Sequence, residues 1–376
     1  MIPLCRPSLD QKELKAIEEV LNSGWLTEGP KNEEFEKNFA KYVGVSHAIS
    51  LNSCTSALQL ALEAYSITGE VLLPSFTFVA SANAIVKAGA TPVFVDIDER
   101  TCNVDPQKIV EKITSKTQAI MPVHFGGQSC DMASIMQIAQ QFRLCVIEDS
   151  AETIGGEYHG KKVGSFGVGC FSFFPTKNMT TGEGGMLTTH DEDFAKRVRT
   201  LAGHGIEKTA HKRNADKHPW ERDALMAGYN YRLSNILAAI GVEQLKKLDF
   251  MNQLRREHAS YLNEHLHFDE VDRPYEDPSC KHVYQMYTLK VKGVDRTQFV
   301  QKLREYGVGA SVHFDPPVHL QSYYRQRYPI PSVHLPVTEK VARQIVTLPL
   351  YPSLTNSDLK NIVHSVEKTI LQLKEI

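Results

Sequence analysis

The chain has 376 residues, of which 42% are apolar and 23% charged, and a formal net charge of −2. That length supports a large core divided between two lobes, and the balance is ordinary for a globular protein. The near-neutral charge excludes a global positive field, so neither nucleic acid nor anionic membrane gains support as a partner.

Met1-Ile2-Pro3-Leu4-Cys5-Arg6-Pro7 lacks the apolar core of a signal peptide, and no apolar run is long enough to span a bilayer. Seven cysteines, with no C-x-x-C pair among them, argue against a disulfide framework or a zinc knuckle. A cytoplasmic location and no metal site are expected. A helix is predicted over Ser8 to Leu21, with Ser8 and Gln11 as a capping box. The glycine-containing loop Ser23 to Pro30 displays Trp25 and reads either as a plain connection or as a ligand or subunit contact. A second helix covers Glu33 to Tyr42.

From His47 strands and helices alternate. Strands are predicted at Ala48–Leu51, Glu70–Leu73, Pro92–Val95, Gln118–Val123 and Leu144–Ile147. Helices lie at Thr55–Tyr65 and Thr77–Lys87, then after the Asp105-Pro106 start signal, then from the Asp131 cap to Phe142. This order implies an α/β fold with a mostly parallel sheet covered on both faces. An aromatic run, Cys170 to Phe174, ends at Pro175 and leads into the polar loop of Lys177. Beyond it come a strand at Met186–Thr189, a helix at Asp191–Leu201 and a polar segment, His211 to Trp220, read as a mobile surface loop. A long helical region from Leu233 to about Leu266 holds the lobe boundary. Residues 1–245 form the expected large domain and 246–376 a smaller α/β domain. In the latter, strands are predicted at Val283–Val291 and Ala310–His313, helices at Thr297–Tyr306 and Asn356 to about Leu373, and a proline-rich stretch up to Pro336.

Four strand ends carry candidate chemistry. Asn52 to Leu58 opens a helix whose N–H groups, with the Thr55 and Ser56 hydroxyls, suit a phosphate, the plainer alternative being ordinary capping. In Pro74 to Phe78 an aromatic ring can stack on a planar cofactor or simply fill the core. Asp149, in Glu148-Asp149-Ser150-Ala151-Glu152, can face a pyridine nitrogen or cap a helix. Lys177 is a solvated charge unless its surroundings desolvate it into an amine nucleophile. The order of the four, with Ser172 just before the lysine, is what lifts Lys177 above that plain reading.

These stretches resemble the DegT/DnrJ/StrS-type sugar aminotransferases. The resemblance runs through Gly24 to Pro30, Asn52 to Leu58, Pro74 to Val79, Glu148 to Glu152, Ser172 to Lys177 with Gly182-Glu183-Gly184-Gly185, His204-Gly205 and Gly228 to Ser234. It implies the fold type I aminotransferase architecture, pyridoxal 5'-phosphate as cofactor, and a homodimer with shared active sites. The implied reaction carries an amino group from an amino acid, commonly glutamate, to a nucleotide-linked ketosugar. By motif match Lys177 is similar to the Schiff base lysine and Asp149 to the partner of the pyridine nitrogen. Phe78 is similar to the ring-stacking aromatic, and Thr55, Ser56 and Ser172 to phosphate contacts. Asn230 is similar to a phosphate contact supplied by the second subunit, and Trp25 and His313 to residues on the sugar side. Glu152 departs from the pattern, standing where many members have Gln or His near the cofactor's phenolic oxygen. A carboxylate there is repelled unless protonated or turned away. Lys177 itself argues against the dehydratase branch, which carries histidine at that place. A PLP-dependent lyase on the same scaffold and a non-enzymatic regulatory protein remain the rival readings.

Overall fold

The computed structural model describes residues 1–214, 217, 218, 220–328 and 334–374. Its large sheet has seven strands. In spatial order they are His47–Leu51, Gly185–Thr189, Val168–Ser172, Cys145–Asp149, Thr117–Ile120, Glu70–Pro74 and Thr91–Val95. Gly185–Thr189 runs antiparallel to both its neighbours, and every other adjacent pair is parallel. Val168–Ser172 and Gly185–Thr189 are buried at all five positions. Strands are buried in this way where helices cover both faces of a sheet. The expected α/β fold with a mostly parallel sheet is what the chain adopts.

One helix ties the molecule together. Asn235–His265 is capped by the Ser234 hydroxyl, which accepts from the Leu237 amide at 3.3 Å. Its first half packs on the helices Gln11–Ser23 and Pro30–Val43. Its far end contributes Ala259 and Leu262 to a second core, with Tyr287, Leu289, Phe299 and Ile362. There a three-stranded antiparallel sheet, ordered Val271–Asp272, Tyr287–Val291, Ile345–Leu348, is packed against Arg296–Glu305 and Asn356–Lys374.

Several expected boundaries move, each for a local reason. The first helix begins at Gln11, because Asp10 and Glu13, not Ser8 and Gln11, form the capping box. The strand expected from Val283 begins at Tyr287. The amides of Val283 and Met286 donate instead to the carbonyls of Gly127 and Gly126, at 2.9 and 3.2 Å. A Cβ on Gly127, whose φ is +113°, would lie 2.6 Å from the Tyr284 nitrogen, so only glycine lets the two backbones meet this closely. The strand expected at Ala310–His313 reduces to a single bridge, Ser311 with Thr347. Ser322–Arg327 is helical within the proline-rich stretch, whose residues 329–333 lie outside the described residues. The helix Pro336–Gln344 and the strand Ile345–Leu348 had no counterpart in the sequence reading. The segment read as a mobile surface loop includes part of a short helix, Ala210–Asn214, while 215, 216 and 219 lie outside the described residues.

Candidate active site

The C-terminal strand ends of the large sheet and the small sheet's edge enclose a cavity of about 470 Å³. In open α/β sheets this is where ligands bind. Asp149, Glu152, Ser172, Lys177, Thr55, Phe78 and His313 all line it. Three of the sequence-predicted residues do not reach it. Ser56 gives its hydroxyl to Asn52 Oδ1 at 2.6 Å and lies 2.9 Å from the Ser53 hydroxyl. Ser53, the helix cap, lines the cavity in its place. Trp25 packs edge-on against His211, with its ring N–H donating to the Glu28 carbonyl at 3.0 Å. Asn230 accepts from Arg232 Nε at 3.0 Å, and its backbone bridges Gly203.

Asp149 ends the strand Cys145–Asp149 and is buried. Its Oδ2 accepts from the Ser81 hydroxyl at 2.7 Å and its Oδ1 from the Ala151 amide at 3.2 Å. Burial pushes this carboxyl above the ordinary aspartate range, against the pull of those two donors, and the charge of Glu152 pushes it further. Lys177 follows the turn at Pro175, with its amide closing onto the Phe174 carbonyl at 2.9 Å. Its side chain is 15% exposed, and Nζ stands 3.4 Å from Glu152 Oε1. The other carboxylate oxygen of Glu152 accepts from the Gly126 amide at 3.0 Å. Each oxygen of the Glu152 carboxylate thus has a donor, one a lysine and the other a backbone N–H.

On the small-lobe side, His313 Nδ1 lies 2.6 Å from the Thr347 hydroxyl. Burial holds this imidazole below its usual range, with the Glu152 charge pulling the other way. Gln285 Nε2 donates to the Thr176 carbonyl at 2.9 Å and pins the lysine turn. Phe78 stands at the cavity's edge, 64% exposed, just before the helix Val79–Lys87. The plainer core reading of that ring does not hold. Sequence reasoning missed Ser81 and Thr77, which looked like unremarkable members of an alanine-rich helix.

The donor set fits pyridoxal phosphate. The N-terminus of Cys54–Ala64 opens into the cavity, with Ser53 and Thr55 at its rim. First-turn amides have no carbonyl partner in their own helix, and they favour an anion there. A Cβ on Gly185 would sit 2.4 Å from the Ser53 carbonyl carbon, so the neighbouring strand can run tight beneath this turn. A buried carboxylate with only two close donors suits a protonated ring nitrogen, and Lys177 is an amine within the same walls. Among the described residues no cluster has the composition of a metal site, and no helix is long and apolar enough to cross a membrane.

The chain is similar to known proteins both in sequence and in fold. The chain is 40% identical over 378 aligned residues to the spore coat polysaccharide biosynthesis protein SpsC of Bacillus subtilis, covering 98% of this chain and 97% of that one. The fold superposes on the aminotransferase TlmJ of Streptoalloteichus hindustanus with a TM-score of 0.92, at 31% identity and full coverage of both chains. It matches the PLP form of the sugar aminotransferase Spr1654 of Streptococcus pneumoniae with a TM-score of 0.92, at 27% identity over 99% of each. The model of the DegT/DnrJ/EryC1/StrS aminotransferase family matches residues 7–367. The chain belongs to that family, and it is a pyridoxal phosphate-dependent sugar aminotransferase.

Proposed function

We propose that the protein moves an amino group from an amino acid, with glutamate the expected donor, to the keto carbon of a nucleotide-linked sugar, and so supplies an amino sugar for a surface polysaccharide. The observation that carries this reading is Lys177 and Asp149 lining one cavity, with a helix N-terminus at its rim. The likeness to SpsC supports the polysaccharide. A second pocket, lined by Arg199, Arg213, Arg222 and Arg232 along with Glu28 and Glu207, supports an anionic, nucleotide-bearing substrate.

Pyridoxal phosphate, when bound, supplies an aldehyde that takes up the amino group and a ring that spreads the electrons left by the departing proton. The chain supplies the rest. Lys177 Nζ accepts the donor's α-proton, and Glu152 orients that amine. The Asp149 carboxylate keeps the ring nitrogen protonated. The amides of the helix Cys54–Ala64, with Thr55 and Ser172, hold the phosphate, and Phe78 covers a ring face. Leu4, Phe314 and Leu350 line the walls and keep water from the reacting carbon.

Trp25 and Asn230 lie outside their own chain's cavity, which supports a homodimer in which each subunit completes the other's site. The separate core around Tyr287 and Ile362 supports a large domain of residues 1–245 and a small one of 246–376. The location proposed is the cytoplasm, where nucleotide sugars and glutamate are at hand.

The test is incubation with L-glutamate and a panel of UDP-, GDP- and dTDP-ketosugars. One equivalent of 2-oxoglutarate per amino sugar is expected. A sugar that has lost water, with no 2-oxoglutarate formed, would show a lyase, and a protein that takes up no cofactor would show a regulator.

A further inference from the structure

Asp149 faces a problem that its cavity does not solve. Its surroundings penalise charge through burial, and Glu152, nearby, adds a second negative charge. Lys177 is the counter-charge that faces it, yet the lysine's ammonium group lies against Glu152. The Cys54 thiol reaches it only at 4.0 Å. What remains is the Ala151 amide and one short bond from Ser81.

The Ser81 hydroxyl has three neighbours: Asp149 Oδ2 at 2.7 Å, the Thr77 hydroxyl at 2.8 Å and the Phe78 carbonyl at 3.2 Å. It owns one proton. The carboxylate is the nearest and strongest acceptor, so that proton points to Asp149. Between the two hydroxyls the proton is then Thr77's to give, and Thr77 donates to Ser81. The two hydroxyls form a directed chain, Thr77 to Ser81 to Asp149. Both residues are buried, which limits competition from water for either bond. A hydroxyl whose oxygen accepts one bond is a better donor in the next. Both come from one connection: Thr77 precedes the helix Val79–Lys87, and Ser81 sits in its first turn, flanking Phe78.

We propose that Ser81, backed by Thr77, is a positioning residue that keeps Asp149 ionised and aimed into the cavity. The inference rests on Asp149 facing the cofactor's ring nitrogen. A carboxylate kept charged at that place holds the ring nitrogen's proton, whereas a neutral carboxylic acid offers a proton of its own and loses the ion pair.

The test compares two probes on apo-protein: pyridoxal phosphate, and 1-deazapyridoxal phosphate, in which a C–H replaces the ring nitrogen. Their Kd values, read by fluorescence quenching, give a preference that measures the carboxylate alone. Ser81→Ala should lower the preference for the natural cofactor about tenfold, and Ser81→Thr should restore most of it. Thr77→Val should lower it about threefold, and it carries the test if Ser81→Ala does not fold. Asp149→Asn is the control and should abolish the preference. An unchanged preference in Ser81→Ala, beside a lost one in Asp149→Asn, overturns the role of Ser81 and leaves the placement of Asp149 standing. An unchanged preference in Asp149→Asn overturns that placement, and the inference with it.

Discussion

Replacing Glu148 by Gln, one residue before the cavity's aspartate, should cost about 4 kcal/mol of stability. Glu148 and His124 are both fully buried. One carboxylate oxygen accepts from the amides of Phe166 and Gly167, each at 2.8 Å. The other accepts from the Gly164 amide at 2.8 Å and from His124 Nε2 at 3.1 Å. The imidazole has no freedom to adapt. Its Nδ1 already accepts from the Cys130 amide at 3.0 Å, so Nε2 must carry the proton. A glutamine keeps one acceptor oxygen. Whichever way its amide is turned, the NH2 group meets two buried N–H donors, each stranded at roughly 1–3 kcal/mol. Burial raises the Glu148 carboxyl, but His124 and the amides of Gly167 and Gly164 outweigh it and hold the group below its usual range. A carboxylate depressed in this way contributes stability that is present above the unfolded value of 4.5 and is lost as pH falls through the folded one. Guanidinium denaturation of the apo-protein, followed by circular dichroism at pH 7 and again at pH 4, reads both effects. The glutamine variant should be less stable at pH 7, and its stability should fall less between the two pH values. A loss under about 1 kcal/mol at pH 7, with the pH dependence intact, would refute the reasoning.

Lys177→Ala removes the cavity's proton acceptor and should lower turnover by about ten-thousand-fold, measured as 2-oxoglutarate release, while thermal stability stays near that of the wild type. Phe78→Ala removes an exposed ring at the cavity edge. It should weaken cofactor binding about threefold to tenfold by fluorescence titration and leave the apo-protein's melting temperature unchanged. His282 is buried, and burial together with the Arg256 charge holds its imidazole down at about 3. A histidine depressed in this way is neutral in the fold, so its contribution is present above 6.5 and is lost as pH falls toward 3. At pH 5 the loss is roughly 2 kcal/mol, and His282→Asn, which keeps an acceptor for the Tyr284 amide, should remove it from a pH series of denaturation curves.

The large lobe was legible because its signals are local. A strand ending in Pro74, an Asp105-Pro106 start and an alanine-rich helix each declare themselves within a few residues. The small lobe was not, because its strands are decided by partners far along the chain. Val283 to Met286 has the composition of a strand, yet Gly126 and Gly127, more than 150 residues earlier, claim its backbone amides. Ile345–Leu348 is four residues long and owes its pairing to Tyr287–Val291, which no window around it contains.

The site divides along the same line. Asp149 and Thr55 are legible because each sits where an element ends and Lys177 because it follows one closely, whereas Phe78 is singled out from Phe76 only by the family resemblance. Ser81 is not, since a serine in the first turn of a helix looks the same whether its hydroxyl faces solvent or a carboxylate 68 residues away. Glu152 shows the converse: the motif gave it a place but not a partner. Only the fold brings Gly126 and Lys177 to its two oxygens. Groups that carry chemistry can thus be named from sequence where topology places them. The groups that set their charge and direction are chosen by packing, and they appear only once each buried proton has been assigned a donor and an acceptor.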